Sequence, residues 1–255
     1  MIPKIIHYCW FGRNPKPELV QKCIASWKKY CPEYEIKEWN EDNFDINSCD
    51  YIKEAYENKK WAFVSDYARL YIVYHEGGIY LDTDIELIKS LDGLLKYDAY
   101  FGYENKENVN TGVGFGSVKH GSVLEQIFLD YHGCHFLKED GKFDVVPCPV
   151  RNSAVLRKLG FNLNGETTVQ NGIAFLSAEW LSPLDYETGD IHITDNTVSI
   201  HHYSGAWMSR EELLIIDIER KLKKIVGKKL AFWVRCRLYN VYNLTRKLLL
   251  IQSDN

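Results

Sequence analysis

The stretch WAFVSDYARLYIVYHEGGIYLDTDIEL, residues 61–87, constrains the fold more than any other. Phe63, Val64, Tyr67, Leu70, Tyr71 and Tyr74 recur at helical spacing and predict a helix with a broad apolar stripe. Gly77 and Gly78 stand where such a helix would be capped. Ile79, Tyr80 and Leu81 then open a predicted buried strand, residues 79–88, which carries Asp82 and Asp84.

The same alternation runs through the first half. IIHYCWFG predicts a first buried strand closed by Gly12. Leu19, Cys23, Ile24 and Trp27 give a helix ending at Pro32, and YEIKEWN a second strand. Residues 50–59 read as a charged helix. Residues 99–117 read as a strand, a polar loop and a strand. Helices follow in GSVLEQIFLDYHG and SAVLRKLG, and TVSIHHYSGAW is a late strand running into a loop. Strands alternating with helices predict an α/β fold with a mostly parallel central sheet. The domain boundary is expected near Ser209, giving a globular domain over 1–209 and a basic helical tail over 210–255.

At 255 residues, 45% apolar and 26% charged, the chain can bury one large core. Its seven cysteines form no C-x-x-C pair and no zinc-ligand spacing, so free thiols in a reducing compartment are expected. The N-terminus lacks a basic region followed by an apolar run, and no 18-residue apolar stretch occurs, which predicts a cytoplasmic protein without a spanning helix.

Two aspartates one residue apart on an extended chain face the same way. Their like charges repel unless a cation lies between them, and hard oxygen ligands suit Mg²⁺, Mn²⁺ or Ca²⁺. In open α/β sheets ligands collect beyond the carboxyl ends of the strands, where Asp82 and Asp84 fall. A phosphatase of the haloacid dehalogenase type also begins with D-x-D. It needs Thr two residues beyond the second Asp, and Glu86 stands there instead. Asp66 and Arg69, three apart on the predicted helix, share a narrow polar stripe with Ala62 and Ser65. Such a pair supplies both an acceptor and donors to a polar ligand.

Residues 62–85, AFVSDYARLYIVYHEGGIYLDTDI, closely resemble the signature of glycosyltransferase family 32, the DXD sugar-binding group. The opening IPKIIHYCWFG and the closing IHHYSGAW, residues 200–207, resemble that family's first strand and its H-H-x-x-x-x-W motif, in the same order. The closing segment also resembles the H-Y-x-G motif of family 8. The resemblance implies a GT-A fold, a nucleotide-sugar donor, a divalent metal (Mn²⁺ or Mg²⁺) and retention of anomeric configuration. By position it implies Asp84 as a direct metal ligand, Asp82 on the ribose and the metal's water shell, and His202 as the second protein ligand. His201, facing the other way, is expected to be structural. Trp10 would stack on the base, and Asp66 and Arg69 would hold the donor sugar. NVNTGVGFGS, residues 108–117, resembles a family 8 segment that places Asn110 and Gly112 in the sugar pocket. Gly205 and Trp207 of the closing motif would line the donor site.

A cation bridging the phosphates would stabilise the nucleoside diphosphate as it leaves. A front-face substitution, in which the leaving phosphate deprotonates the acceptor, needs no protein nucleophile. UDP-hexose is the favoured donor and GDP-mannose the alternative. The expected acceptor is a glycan or lipid-linked glycan of capsule or lipopolysaccharide synthesis. The competing class is a non-catalytic sugar-nucleotide or glycan-binding protein with the same pocket.

Charge is divided unevenly. From Arg220 onward ten Lys/Arg stand against one acid, a net of +9, and residues 1–219 carry 21 against 34, a net of −13. Basic residues mixed with Leu, Ile, Val, Phe, Trp and Tyr predict an amphipathic helical segment, and residues 220–251 are a candidate contact with the inner face of an anionic membrane. The acidic body argues against nucleic acid.

Overall fold

The computed structural model describes residues 1–185, 189–205 and 210–253. The chain divides into two compact units, Met1–Pro183 with His192–His202, and Leu184–Ile191 with Tyr203–Asn255.

The first unit is built on a seven-stranded sheet. In chain order its elements are β1 (Ile5–Cys9), α1 (Glu18–Tyr30), β2 (Glu35–Trp39), α2 (Asp50–Glu57), α3 (Trp61–Glu76), β3 (Gly78–Tyr80), β4 (Ile85–Leu87), β5 (Ala99–Gly102), β6 (Phe115–Ser117), α4 (Ser122–Leu129), α5 (Cys148–Lys158), β7 (Thr168–Gln170), β8 (Ile173–Leu176), α6 (Ala178–Leu181) and β9 (Ser199–His201). The sheet runs β2-β1-β3-β6-β5-β8-β7, while β4 and β9 form a separate antiparallel pair. β1 pairs in parallel with β2 and β3, and β5 with β8. β6 is antiparallel to both of its neighbours, and β7 is antiparallel to β8. Five of the seven strands therefore run one way, as expected of an α/β fold with a mostly parallel sheet.

Core side chains lie on both faces of this sheet because its strands alternate between them. Phe101, Phe115 and Phe175 join Val64, Tyr67 and Leu70 of α3 in one cluster. Tyr100, Ala174 and Leu176 join Trp27 of α1, Leu81 and Leu181 in the other. α3 is buried along most of its length, so a broad apolar surface rather than a single stripe meets its neighbours.

Gly77 and Gly78 end α3 and begin β3 without an intervening loop. Their φ angles are 71° and 103°, a region that side chains disfavour. A Cβ on Gly78 would stand 2.8 Å from the carbonyl oxygen of Ile5. The glycines therefore let β3 lie directly against β1. The buried imidazole of His7 fastens the same corner. Its Nε2–H donates to Gly77 O at 2.9 Å and its Nδ1 accepts from Trp39 Nε1–H at 3.1 Å.

The predicted strand over 79–88 divides in two. Asp82, Thr83 and Asp84 form a turn closed by Ile85 N–H donating to Asp82 O at 3.0 Å. Aspartate favours turns because its side chain competes for nearby backbone groups. β4 is then held by α1, whose Trp27 indole donates to Ile85 O at 2.7 Å and whose Ser26 hydroxyl accepts from Leu87 N–H at 2.9 Å. The helix expected in SAVLRKLG begins five residues earlier, at Cys148, with Pro147 capping it and Pro149 in its first turn.

In the second unit, Leu184 and Ile191 bridge antiparallel, and helices α7 (Arg210–Val226) and α8 (Lys228–Ser253) pack against each other. Gly227, at φ 81°, separates them. Among the described residues no helix is long and apolar enough to cross a membrane. All seven cysteines are free.

Candidate active site

Asp82 follows β3 at its carboxyl end, where Leu81 N–H still donates to His7 O of β1 at 3.1 Å. The turn brings Asp84 back beside it, and β9 delivers a third group. Ligand atoms of Asp82, Asp84 and His201 lie within 4.8 Å of one another. His201 Nε2 is 3.2 Å from Asp84 Oδ1.

The two histidines of the closing segment meet different carboxylates. His201, expected to be structural, joins the aspartates. His202, expected to be a ligand, places Nε2 2.9 Å from Glu86 Oε2, which also accepts from Lys22 at 2.8 Å. The two histidines face opposite ways, His201 ending β9 and His202 continuing its alternation one residue on. In the β4–β9 ladder Ile85 pairs with His201 and Glu86 with Ile200, which puts His202 on the face of Glu86. Asp84 lies in the turn, outside that alternation, and its carboxylate reaches the face of His201.

Arg69 ties this cluster to α3. Its Nη2 is 3.1 Å from Asp66 Oδ1 and 3.2 Å from Asp82 Oδ1, and its Nε–H donates to Ser65 O at 3.0 Å. The guanidinium carbon sits 5.0 Å from the centre of the Tyr80 ring, whose hydroxyl donates to Asp82 Oδ1 at 3.1 Å. Arg69 is 4% exposed. A buried charge is tolerated only when paired, and two carboxylates meet it here.

Burial raises the Asp82 carboxyl to about 6, with the neighbouring Asp84 and Asp66 acting in the same direction and Arg69 and His201 against it. Burial also raises Asp66 from the ordinary carboxylate range, opposed chiefly by Arg69. His201 is raised because the pull of Asp84 and Asp82 outweighs the burial that lowers it. Two converging carboxylates and an imidazole are a donor set that fits a divalent cation such as Mn²⁺ or Mg²⁺.

Asn110 and Gly112 meet the same cluster. A Cβ on Gly112 would stand 2.5 Å from Asp82 Oδ2 and 3.0 Å from Arg69 Nη1. Asn110 Oδ1 accepts from Gly112 N–H at 2.6 Å, so the side chain predicted to face a sugar also shapes the loop. Two further residues carried no motif in the sequence. Glu104, just beyond β5, hydrogen-bonds to Asn110 and lies in the field of His201, and burial raises its carboxyl. Cys148, the first residue of α5, points its thiol at Asn110 Oδ1 at 3.8 Å and hydrogen-bonds to Asp66. A carboxylate in a polar loop and an isolated cysteine give no periodic signal.

Trp10 follows β1 half-buried, with its indole donating to Asn14 O at 2.7 Å and the Lys16 ammonium 5.7 Å from the ring centre. Gly205, at φ 60°, belongs to the second unit. Trp207 lies outside the described residues.

The family model described as a glycosyltransferase sugar-binding region containing DXD motif matches residues 17–101. Inositol phosphoceramide mannosyltransferase 3 of Schizosaccharomyces pombe is 31% identical over 116 residues, 44% of this chain and 32% of that protein. The chain thus spans about a third of that relative's length. An uncharacterized glycosyltransferase, L373, of Acanthamoeba polyphaga mimivirus is 27% identical over 235 residues, 87% of this chain and 90% of that one. Among solved structures, the PaToxG glycosyltransferase superposes with a TM-score of 0.48 at 17% identity, covering 62% of this chain and 70% of its own. The sequence relatives carry glycosyltransferase names, and residues 17–101, a third of the chain, are similar to a DXD-containing sugar-binding region.

Proposed function

We propose that the chain transfers a hexose from a nucleoside-diphosphate sugar to a glycan or lipid-linked glycan, using a divalent cation held by Asp82, Asp84 and His201. The convergence of these three groups beside the Asp66–Arg69 pair carries the reading. Bound there, the cation would neutralise the charge of the departing diphosphate.

The chain's own residues do the rest. The Asp66 carboxylate accepts hydrogen bonds from hydroxyls of the donor sugar, and Arg69 holds Asp66 and Asp82 in fixed positions. Gly112 leaves open the space that a side chain would fill against Asp82. Trp10 offers an aromatic face to the base, a contact worth roughly 1–3 kcal/mol. Retention by front-face substitution fits a site with no assigned nucleophile. UDP-hexoses are the first donors to test. Mannose, the sugar in the fission yeast relative's name, adds GDP-mannose. The acceptor proposed is a surface polysaccharide or its lipid-linked precursor.

The test measures nucleoside diphosphate release from a panel of nucleotide sugars with and without Mn²⁺, alongside Asp84→Asn. Metal-dependent release from one donor, lost in the variant, is expected. Donor binding with no release, with or without sugar acceptors, would make the chain a binder. Release of inorganic phosphate would make it a phosphohydrolase.

A further inference from the structure

We infer that the α7–α8 hairpin is a docking surface for an anionic phospholipid bilayer. Leu230, Trp233, Arg237 and Val241 recur at three- and four-residue spacing, so they share one face of α8. Leu230, Trp233 and Val241 are exposed, Trp233 at 55%. Ile225, 78% exposed, and Val226 extend the apolar surface across Gly227 to the end of α7. The other side of α8 turns partly to α7, although Phe232 there is also exposed. Ala231 is fully buried, and Arg235 pairs with Glu219 of α7 at 3.0 Å.

The charge on this hairpin selects the occupant. Lys224, which pairs with Asp190 at 3.0 Å, and Lys228 and Lys229 bracket the bend, and Arg237 lies 5.1 Å from the Trp233 ring centre within the apolar face. Between Glu219 and Asp254 the sequence contains no acid. A helix with an indole and aliphatic side chains on one face, bordered by lysines, lies in the headgroup region with its apolar side in the acyl boundary. Each Lys or Arg near the surface adds attraction to anionic lipid. A nucleic acid would use the lysines but leave Leu230, Ile225 and Val241 in water. A second copy would bring a like-charged segment against this one. Docking would serve the reading proposed above by bringing a lipid-linked acceptor within reach, and it is measured without catalysis.

The full chain is sedimented with vesicles of phosphatidylcholine, with and without phosphatidylserine. Binding to the anionic vesicles alone, weakened by salt, is expected. Lys228→Glu with Lys229→Glu, and separately Leu230→Ser with Trp233→Ser, should each lower the partition coefficient about tenfold or more. Helical content and donor release should stay unchanged in both. If only donor release fails in the wild type, the transferase reading falls while docking stands. Equal binding to neutral and anionic vesicles, no binding to either, or wild-type binding by both variants would overturn the inference. So would a dimer abolished by Leu230→Ser with Trp233→Ser in a chain that ignores vesicles, or retention by nucleic acid in its place.

Discussion

His201 Nε2 lies 3.2 Å from Asp84 Oδ1, while the adjacent His202 turns to Glu86 on the other face of the β4–β9 pair. These neighbours therefore make an internally controlled pair. His201→Ala removes one of three converging donors and should weaken Mn²⁺ affinity by at least about tenfold, since even outer-shell losses cost that much. His202→Ala loses a partly exposed hydrogen bond to Glu86 and should leave metal affinity within about threefold. Titrating Mn²⁺ by calorimetry in both variants checks the assignment. The opposite ranking would return the ligand role to His202.

Arg69 is the cation on which a buried carboxylate, Asp66, and a half-buried one, Asp82, depend. Arg69→Met would leave Asp66 and Asp82 facing each other without it, and breaking such a buried pair costs about 3–5 kcal/mol. Arg69→Lys keeps the charge but loses the planar fork that reaches both oxygens, so a smaller loss is expected. Urea unfolding of the three proteins reads the difference. If Arg69→Met is as stable as wild type, the guanidinium is not what holds these carboxylates together.

The strength of that network bears on what could be read from sequence. The α3 helix, the double glycine and the aspartates were legible because each is a local signal. Helical periodicity, a positive-φ requirement and a pair of carboxylates all act within a few residues. The choice between His201 and His202 was not local. It depends on Asp82–Ile85 closing as a turn instead of continuing the strand, which shifts Asp84 out of alternation. Glu104 and Cys148 were invisible for the same reason, since only the packing of α5 and the loop after β5 brings them to Asn110. Short strands such as β7 and β8 carry too few residues for a period to show.

Gly112 is a position where function and stability should separate. Its backbone is not in the left-handed region, so alanine there meets no φ strain. The added methyl would instead press on Asp82 and Arg69. Gly112→Ala should cut kcat/KM at least about tenfold, which is only 1.4 kcal/mol of misplacement. Its melting temperature should move by no more than a few degrees, about what 1 kcal/mol does to a domain of this size. An unfolded variant, or an unaffected one, would remove Gly112 from the site.

His7 sets a pH limit on the fold itself. Burial lowers its pKa from 6.5 to about 4, and the Gly77 carbonyl only partly offsets this. In the folded chain the ring is neutral, donating through Nε2–H and accepting at Nδ1 from Trp39. In the unfolded chain it takes up a proton below about pH 6.5. Between those two values the unfolded state binds more protons, so stability falls as pH drops from 6.5 towards 4. The integrated loss is about 3 kcal/mol, and below pH 4 both states are protonated and the term stops growing. Asp82, raised to about 6, titrates in the same window with the opposite sign. The comparison must therefore be the difference between wild type and His7→Gln, whose amide keeps one donor and one acceptor. Unfolding free energies from pH 7 to pH 4 should converge as pH falls, with wild type losing about 3 kcal/mol more than the variant. Parallel curves would mean that His7 accepts its proton without leaving the fold.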